Sequence, residues 1–340
     1  AAPVPEKMLM NGFANIIFTK GNFSAGLRYE SYLNTLQGFD PRYKGNGIPY
    51  RFASYKADEL EVTAGNFYEQ FGSGLVLRAY EEKGLGIDNA FDGLRLKYVI
   101  HGFYLKGLIG KQRSFFTQGP GIVRGFDGEV NLNELFTKWS ESPTQISLGG
   151  SFVSKFQSGD KVVYQTSTLN VPQNVGASAG RISVSRGRVN FMAEYANKIN
   201  DPSAINNYLY RPGEALFFTA NYSTKGFAVS AGTKYTDNFS FKNDRTATGS
   251  DLNINFLPAL ARQHTYSLLA FYPYATQSNG EVAHRIEISK KFKKETKLGG
   301  KYGTDITIHF SDAYGLDTTT LTPADDSARY GYTVNYFGQG

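Results

Sequence analysis

The chain has 340 residues, among them 37 glycines, 23 tyrosines and 26 phenylalanines, and it has no cysteine. This composition favours strands and turns over helices, and the absence of cysteine excludes disulfide scaffolds, thiolate metal sites and cysteine catalysis. The formal net charge of +6 is small for this length, and the basic residues are spread along the chain, so no nucleic-acid partner is indicated.

Transmembrane helices are not predicted, because nowhere do about 18 apolar residues follow one another. The first residues, AAPVPEKMLMNG, lack the charged and then apolar order of a secretory signal, which indicates a mature chain. A strand is predicted at Phe23–Leu33, whose length suits a tilted strand that crosses a membrane. A membrane β-barrel is compatible with this chain because its strands give only a weak hydropathy signal.

Several later segments alternate apolar and polar residues with a period of two. In the segment GLRLKYVI, Leu94 and Leu96 share one face, while Arg95 and Lys97 share the other. The same pattern recurs at 181–198, 282–289 and 301–310. Successive side chains of a strand point to opposite faces, so these segments are predicted to be strands with one apolar and one polar side.

Short turns and long connectors alternate along the chain. Short turns are predicted at Lys20–Asn22, Lys56–Asp58, His101–Gly102, Arg186–Gly187, Ser223–Gly226 and Lys293–Lys297, and a longer turn near Ser140–Pro143. Long connectors are predicted at Asn34–Pro49, Phe67–Phe91, Gln112–Gly121, Lys155–Ala179, Lys198–Gly213 and Thr236–Gly280. The turns give about 14 strands, and a further candidate strand lies at Arg329–Phe337.

This alternation is typical of outer-membrane barrels, which have short periplasmic turns and long extracellular loops. We therefore predict an all-β fold, a transmembrane antiparallel up-and-down β-barrel of about 14 strands, with residues 1–340 as a single domain. A soluble all-β protein with its apolar faces inward is the alternative. The chain either ends its last strand at Phe337 or stops before the barrel is complete.

The polar faces of the predicted strands would line the lumen of the barrel with charges of both signs. The predicted lumen-lining residues are Arg28, Glu30, Glu59, Glu61, Arg95, Lys97, Arg181, Glu194, Lys234, Arg285 and Asp305. Glu59 and Glu61 lie two apart on one predicted face and could form an acid–base pair. A lumen in which carboxylates and cations interleave explains them better.

The connector FYEQFGSGLVLRAYEEKGLGIDNAFDG, Phe67 to Gly93, combines aromatic residues, glycines and charges. Its glycines permit sharp bends, and we predict that it folds back into the lumen as a constriction or plug. There its carboxylates would meet Arg28, Arg95 and Lys97. The charged residues of the predicted constriction are Glu69, Arg78, Glu81, Glu82 and Asp88.

Catalytic and metal-binding motifs are not found in the sequence. None of the four histidines has a second ligand at metal-binding spacing, and no nucleophile elbow, phosphate-binding loop or dinucleotide fingerprint occurs. Asp237, Asp244 and Asp251 lie along one long connector, but their spacing does not fit an EF-hand. We therefore predict a protein that is not an enzyme, with no metal and no cofactor.

Three segments carry a resemblance to a known family. They are the connector Phe67–Gly93, the segment HTYSLLAFYPYATQSNGEVAHRIEI at His264–Ile288, and KLGGKYGT at Lys297–Thr304. With these segments the chain resembles a family of uncharacterised outer-membrane β-barrel proteins of Bacteroidota. The resemblance covers most of the chain and implies a location in the cell outer membrane. It brings no established activity, substrate or catalytic residue.

Two functions are open for such a barrel. It could be a porin-like channel with a loop-constricted polar lumen, or a non-catalytic subunit of a larger envelope complex. A soluble interaction protein is an alternative, and a barrel-embedded hydrolase that uses Glu59, Glu61 and His309 is the last. The expected partners are outer-membrane lipid and lipopolysaccharide, and for a subunit also other envelope proteins, but not nucleic acid.

Overall fold

The computed structural model describes residues 8–36, 40–159, 162–164, 167–262, 274–321 and 331–335. In this part of the chain, fourteen strands form one antiparallel sheet in chain order. The all-β, up-and-down architecture and the number of strands are confirmed. The strands are β1 (Met10–Lys20), β2 (Phe23–Leu33), β3 (Gly45–Ala57), β4 (Leu60–Phe67), β5 (Phe91–Ile100), β6 (Phe103–Ser114), β7 (Thr117–Asn131), β8 (Thr144–Phe156), β9 (Asn174–Arg186), β10 (Val189–Lys198), β11 (Gly213–Thr224), β12 (Phe227–Asp237), β13 (Gly280–Phe292) and β14 (Thr304–Tyr314).

The two faces of the sheet have different surroundings. On β5, the side chains of Leu94, Leu96 and Tyr98 are 40%, 42% and 38% exposed, and they form part of an apolar outward face. On the opposite face, residues from distant strands meet in one buried cluster, so the sheet curls around this inward face. The strand residues of the cluster include Phe67 of β4, Leu108 of β6, Val153 of β8, Ala196 of β10 and Ala283 of β13.

The curl is not closed into a ring. β1 and β14 are the two edges of the sheet, and no hydrogen-bonded ladder joins them within the described residues, whereas a closed barrel was predicted. Both edge strands are well exposed, with Ile16 at 64% and Ile308 at 63%. No helix in the described part of the chain is long and apolar enough to cross a membrane.

The connections follow the predicted alternation of short and long only in part. On the side of the predicted short turns, the connections 132–143 and 293–303 are at least as long as the connector 34–44, and one predicted long connector is short. The predicted long connector Gln112–Gly121 is a two-residue turn at Phe115–Phe116. The prediction was wrong because its glycines look like loop residues. They lie in β7, where a Cβ at Gly119 would come within 2.4 Å of Oδ1 of Asn243, and a Cβ at Gly121 within 2.4 Å of the backbone oxygen of Asn243. These glycines therefore permit a close approach of another segment.

The remaining elements are short. The α-helix Leu132–Leu135 and the 3-10 helix Thr137–Trp139 lie between β7 and β8. Further 3-10 helices lie at Lys83–Leu85 and Ala204–Asn206. Three small two-stranded sheets pair Glu81–Glu82 with Ile87–Asp88, Val162–Tyr164 with Ser167–Leu169, and Thr318–Thr320 with Tyr332–Val334.

The prediction of a further barrel strand at Arg329–Phe337 was wrong for its described part, because Tyr332–Val334 pairs with Thr318–Thr320 in the last of these small sheets. Tyr332–Val334 lies apart from the main sheet, and the hydroxyl of Tyr332 donates to Asp237 at 2.6 Å. The guanidinium of Arg211 lies 4.3 Å from the centre of the same ring. These contacts hold the segment at the end of β12. Residues 329–330 and 336–337 lie outside the described residues.

Candidate functional site

Two long connectors fold against the inward face of the sheet. Residues 68–90 form the inner loop, and residues 238–262 form the second inner loop. Leu75, Val76 and Leu77 of the inner loop are fully buried, and so are Phe239 and Phe241 of the second inner loop. All five belong to the buried cluster, so apolar side chains fill the interior of the curled sheet at this level.

Glycines shape the inner loop. Gly72 and Gly74 have φ values of 51° and 100°, which glycine adopts at no steric cost. Around this turn, the backbone N–H of Phe71 donates to the carbonyl of Leu77 at 3.0 Å. The ring of Phe71 then meets β7, where a Cβ at Gly125 would lie only 2.7 Å from it. Glycine at position 125 therefore leaves the space that the ring of Phe71 occupies.

A buried charge network joins the second half of the inner loop to β2 and β6. Arg28 of β2 forms ion pairs with Glu81, at 2.9 Å, and with Asp88. Arg113 of β6 pairs with Glu30 of β2 and with the same Asp88. All of these side chains except Glu81 are at most 7% exposed. The network thus fixes the inner loop to the inward face of the sheet through two cations and three carboxylates.

A second group of charges holds the start of the inner loop. The carboxylate of Glu69 lies 3.0 Å from Nζ of Lys97 and 3.0 Å from Nζ of Lys106. Arg95 lies 3.6 Å from Glu69 and also pairs with Glu61. Burial alone would raise the pKa of Glu69, but the two lysines outweigh it and hold this pKa below its usual value.

The tip of the inner loop contacts a buried carboxylate of β10. The backbone N–H of Ser73 donates to Oε2 of Glu194 at 2.7 Å, and Glu194 is 1% exposed. A Cβ at Gly72 would come within 2.7 Å of both carboxylate oxygens. Glu194 therefore holds the turn at a point where only glycine fits.

The second inner loop covers the first, and sequence reasoning did not predict this. The carbonyl of Asn253 accepts hydrogen bonds from Asn89, at 3.0 Å, and from Gln112, at 2.8 Å. The side chain of Asn243 bonds both backbone groups of Gly121. Buried irregular segments need such amide side chains to satisfy backbone groups, so the asparagines of 238–255 were a signal of burial.

Other predicted lumen residues also lie on the inward face. Arg181 pairs with Asp127 at 2.7 Å, and Lys234 pairs with Glu281 at 2.8 Å. Arg285 shares the face of its strand with the buried Ala283 and Glu281, because it lies at even spacing from them in β13.

Three predicted site residues are placed differently from the expectation. Glu59 lies in the turn between β3 and β4 and is exposed, so it shares no strand face with Glu61 and the two form no acid–base pair. Asp305 has the inward register but is 68% exposed, where it pairs with Lys291 at 3.5 Å. Glu82 is exposed and caps the short helix Lys83–Leu85 through the N–H of Gly84.

Arg78 of the predicted constriction makes no ion pair within the described residues. Its guanidinium lies 4.1 Å from the ring centre of Phe256 and 4.9 Å from that of Tyr80. Its backbone N–H donates to the carbonyl of Ile254 at 2.8 Å. Arg78 therefore joins the two inner loops.

No metal site is formed by the described residues, since no group of three or more histidine, aspartate or glutamate side chains converges. The three aspartates of the long connector have other partners. Asp237 pairs with Arg211, Asp251 pairs with Arg42, and Asp244 accepts a hydrogen bond from Gln157 at 3.2 Å.

Comparison with known proteins gave distant structural likenesses and one family. No curated protein matched the sequence. A BenF-like porin from Pseudomonas fluorescens Pf-5 is 10% identical, with a TM-score of 0.38 over 89% of this chain and 86% of that chain. OccK5 (OpdH) from Pseudomonas aeruginosa is 11% identical, with a TM-score of 0.39 over 90% of this chain and 87% of that chain. Structural similarity this distant identifies no solute for this protein and does not show whether it has an open pore. A family model described as "Family of unknown function (DUF6029)" matches residues 2–340, and the chain belongs to this family.

Proposed function

We propose that this protein is a porin-like, non-enzymatic barrel of the outer membrane, in a bacterium of the Bacteroidota, whose passage is constricted by the two inner loops. The observation that carries this proposal is the burial of Leu75, Val76 and Leu77 of the inner loop against the inward face of the sheet. About fourteen strands enclose more space than their own side chains fill, so loops that fold inward decide how wide the passage is.

The outward face supports a membrane environment. It exposes large apolar side chains on strands throughout the sheet, such as Leu96, Phe152, Phe191 and Ile288. All strands of the main sheet except β4 have at least 10 residues, which is the length that a tilted strand needs to cross the hydrocarbon layer. In water, so much contiguous apolar surface would favour aggregation.

The two sides of the inner loop differ in access to water. On the side of the short turns, the inward side chains of Lys97, Lys106 and Glu129 are 33%, 29% and 39% exposed. The proposed passage therefore has a polar vestibule on this side and a filled section on the side of the long connectors. Charges of both signs line the vestibule, so its preference for one sign of ion is weak.

Fractionation and liposome swelling test this function. We expect the protein in the membrane fraction, and we expect liposomes that contain it to take up small solutes more slowly than liposomes with an equal amount of an open porin. Recovery of folded protein in the soluble fraction without detergent would contradict the membrane placement. Uptake as fast as through the open porin would contradict the constriction.

A non-catalytic subunit of a larger envelope complex is the second candidate. It is favoured by the outer edges of β1 and β14, whose backbone groups have no ladder partner among the described strands and offer hydrogen bonds to another chain. Extraction in several mild detergents, followed by mass spectrometry, tests this candidate. A monomer without partners in all of them would argue against it.

A further inference from the structure

The connection between β13 and β14 differs in its charge from the other connections on the side of the short turns. Residues 290–301, the basic turn, contain six lysines and one glutamate. Among the described residues, only one of these lysines has a carboxylate within ion-pair distance, namely Lys291 with Asp305 at 3.5 Å. The lysines of the basic turn, all exposed, are Lys290, Lys291, Lys293, Lys294, Lys297 and Lys301. This surface therefore has positive charge that the described protein does not neutralise.

Exposed apolar side chains lie beside these lysines. Leu298 is 65% exposed, and Tyr302 is 86% exposed. Lys290 has the same register in β13 as the outward Ile286 and Ile288, so it follows directly on the apolar outward face. The basic turn thus stands where that apolar face ends, and it combines positive charge with residues that enter a membrane interface.

A groove of about 360 Å³ opens at the same place. The N–H of Lys291 donates to the carbonyl of Gly226 at 2.9 Å, which fixes the turn between β11 and β12 beside β13. The groove combines ammonium and hydroxyl donors with an apolar wall. Its lining includes Thr224, Phe227, Lys290, Lys291 and Ile306, and also Asp305, whose carboxylate pairs with Lys291.

We propose that the basic turn and this groove bind the phosphate headgroup of anionic phospholipids in the leaflet next to the short turns. The inference rests on the membrane placement proposed above. A lipid phosphate supplies the negative charge that the lysines lack, and its acyl chains continue along Ile306 and the outward face. Leu298 and Tyr302 would enter the interface between headgroups and chains, while the lysine ammonium groups stay at the phosphates.

Lipid retention tests this site. Wild-type protein is reconstituted in phosphatidylcholine vesicles with a minor fraction of phosphatidylglycerol, and retained lipid is then counted by native mass spectrometry. The test variant combines Lys290→Gln, Lys293→Gln, Lys294→Gln and Lys297→Gln. The control variant removes the same number of exposed lysines elsewhere through Lys20→Gln, Lys44→Gln, Lys56→Gln and Lys138→Gln.

We expect the wild type and the control variant to retain phosphatidylglycerol preferentially, and the test variant to retain about tenfold less. Equal retention in all three proteins would overturn the proposal, as would equal retention of phosphatidylcholine and phosphatidylglycerol by the wild type. Resistance to urea extraction measures insertion separately. If the protein does not insert into the vesicles, the proposed membrane placement is wrong, and the proposed lipid site is wrong with it.

Discussion

Arg113 shows most clearly how single residues hold the interior together. It pairs with Glu30, 83 residues earlier in the chain, and with Asp88 of the inner loop. The side chains of Arg113 and Glu30 are 3% and 1% exposed. In such a dry environment a charge without its partner is costly, so each member of the network depends on the others.

Substitution of Arg113 tests the network. Arg113→Gln leaves Glu30 buried without its bidentate partner, and we expect the free energy of unfolding to fall by about 3–5 kcal/mol. Urea titration of the protein in lipid vesicles measures this change. The matched control is Arg51→Gln, because Arg51 is 59% exposed and pairs with Asp92 at 3.1 Å. The control should cost less than about 1 kcal/mol. An equal loss of unfolding free energy in both variants would show that the buried network stabilises the protein no more than an exposed ion pair does.

Glu69 makes the inner loop sensitive to acid. Its pKa in the folded protein is lower than in the unfolded chain, so its pairs with Lys97 and Lys106 stabilise the loop fully above the unfolded value of about 4.3. This stabilisation is lost as the pH falls through the lowered pKa. We expect bilayer conductance to rise as the pH falls below about 4.3, and to rise less in Glu69→Gln, which does not titrate. The same pH response in both proteins would contradict this role.

At the scale of elements, β7 is built to receive both inner loops. Gly125 makes room for the ring of Phe71, and Gly119 and Gly121 make room for Asn243. A strand normally loses stability at glycine, so three glycines on one inward face indicate a close approach by another segment. The packing of the two inner loops against the sheet therefore depends on the glycines of β7 as much as on residues of the loops.

A methyl group at position 125 tests this fit. Gly125→Ala places a Cβ 2.7 Å from the ring of Phe71, which has to shift, and we expect the inner loop to lose about 1–3 kcal/mol of local stability. Hydrogen exchange of residues 70–79 should then be at least about fivefold faster. Gly107→Ala is the control, because no atom lies within 4 Å of its Cβ position. Unchanged exchange in Gly125→Ala would mean that Phe71 does not hold the loop.

The elements differ in how much the sequence reveals of them. Period-two alternation and short turns were sufficient to predict an up-and-down sheet of about fourteen strands, because each signal is local. The same signals failed at Gln112–Gly121, where the glycines serve a contact with Asn243 that is more than 100 residues away. Arg113 was not predicted as part of the site for the same reason.

At the scale of the whole molecule, a curled sheet surrounds two loops, and the fold brings distant charges together. The pairing of Arg28 with Asp88 was predicted as one of several contacts, since Arg28 lay on the predicted lumen face and Asp88 in the connector predicted to fold into the lumen. The cover supplied by the second inner loop was not predicted, because the asparagines of 238–255, which are a signal of its burial, are also common in exposed connectors. Closure of the sheet likewise depends on long-range pairing that no local pattern specifies.

The central claim is that the inner loop decides whether the barrel conducts. The most direct test is the conductance of single proteins in planar bilayers, before and after Ser73–Asp88 is replaced by a short glycine–serine linker. A control variant that lacks residues 162–169, in a different connector, shows the effect of shortening alone. We predict that conductance rises severalfold in the Ser73–Asp88 variant only. Unchanged conductance in a folded, inserted Ser73–Asp88 variant would contradict the account.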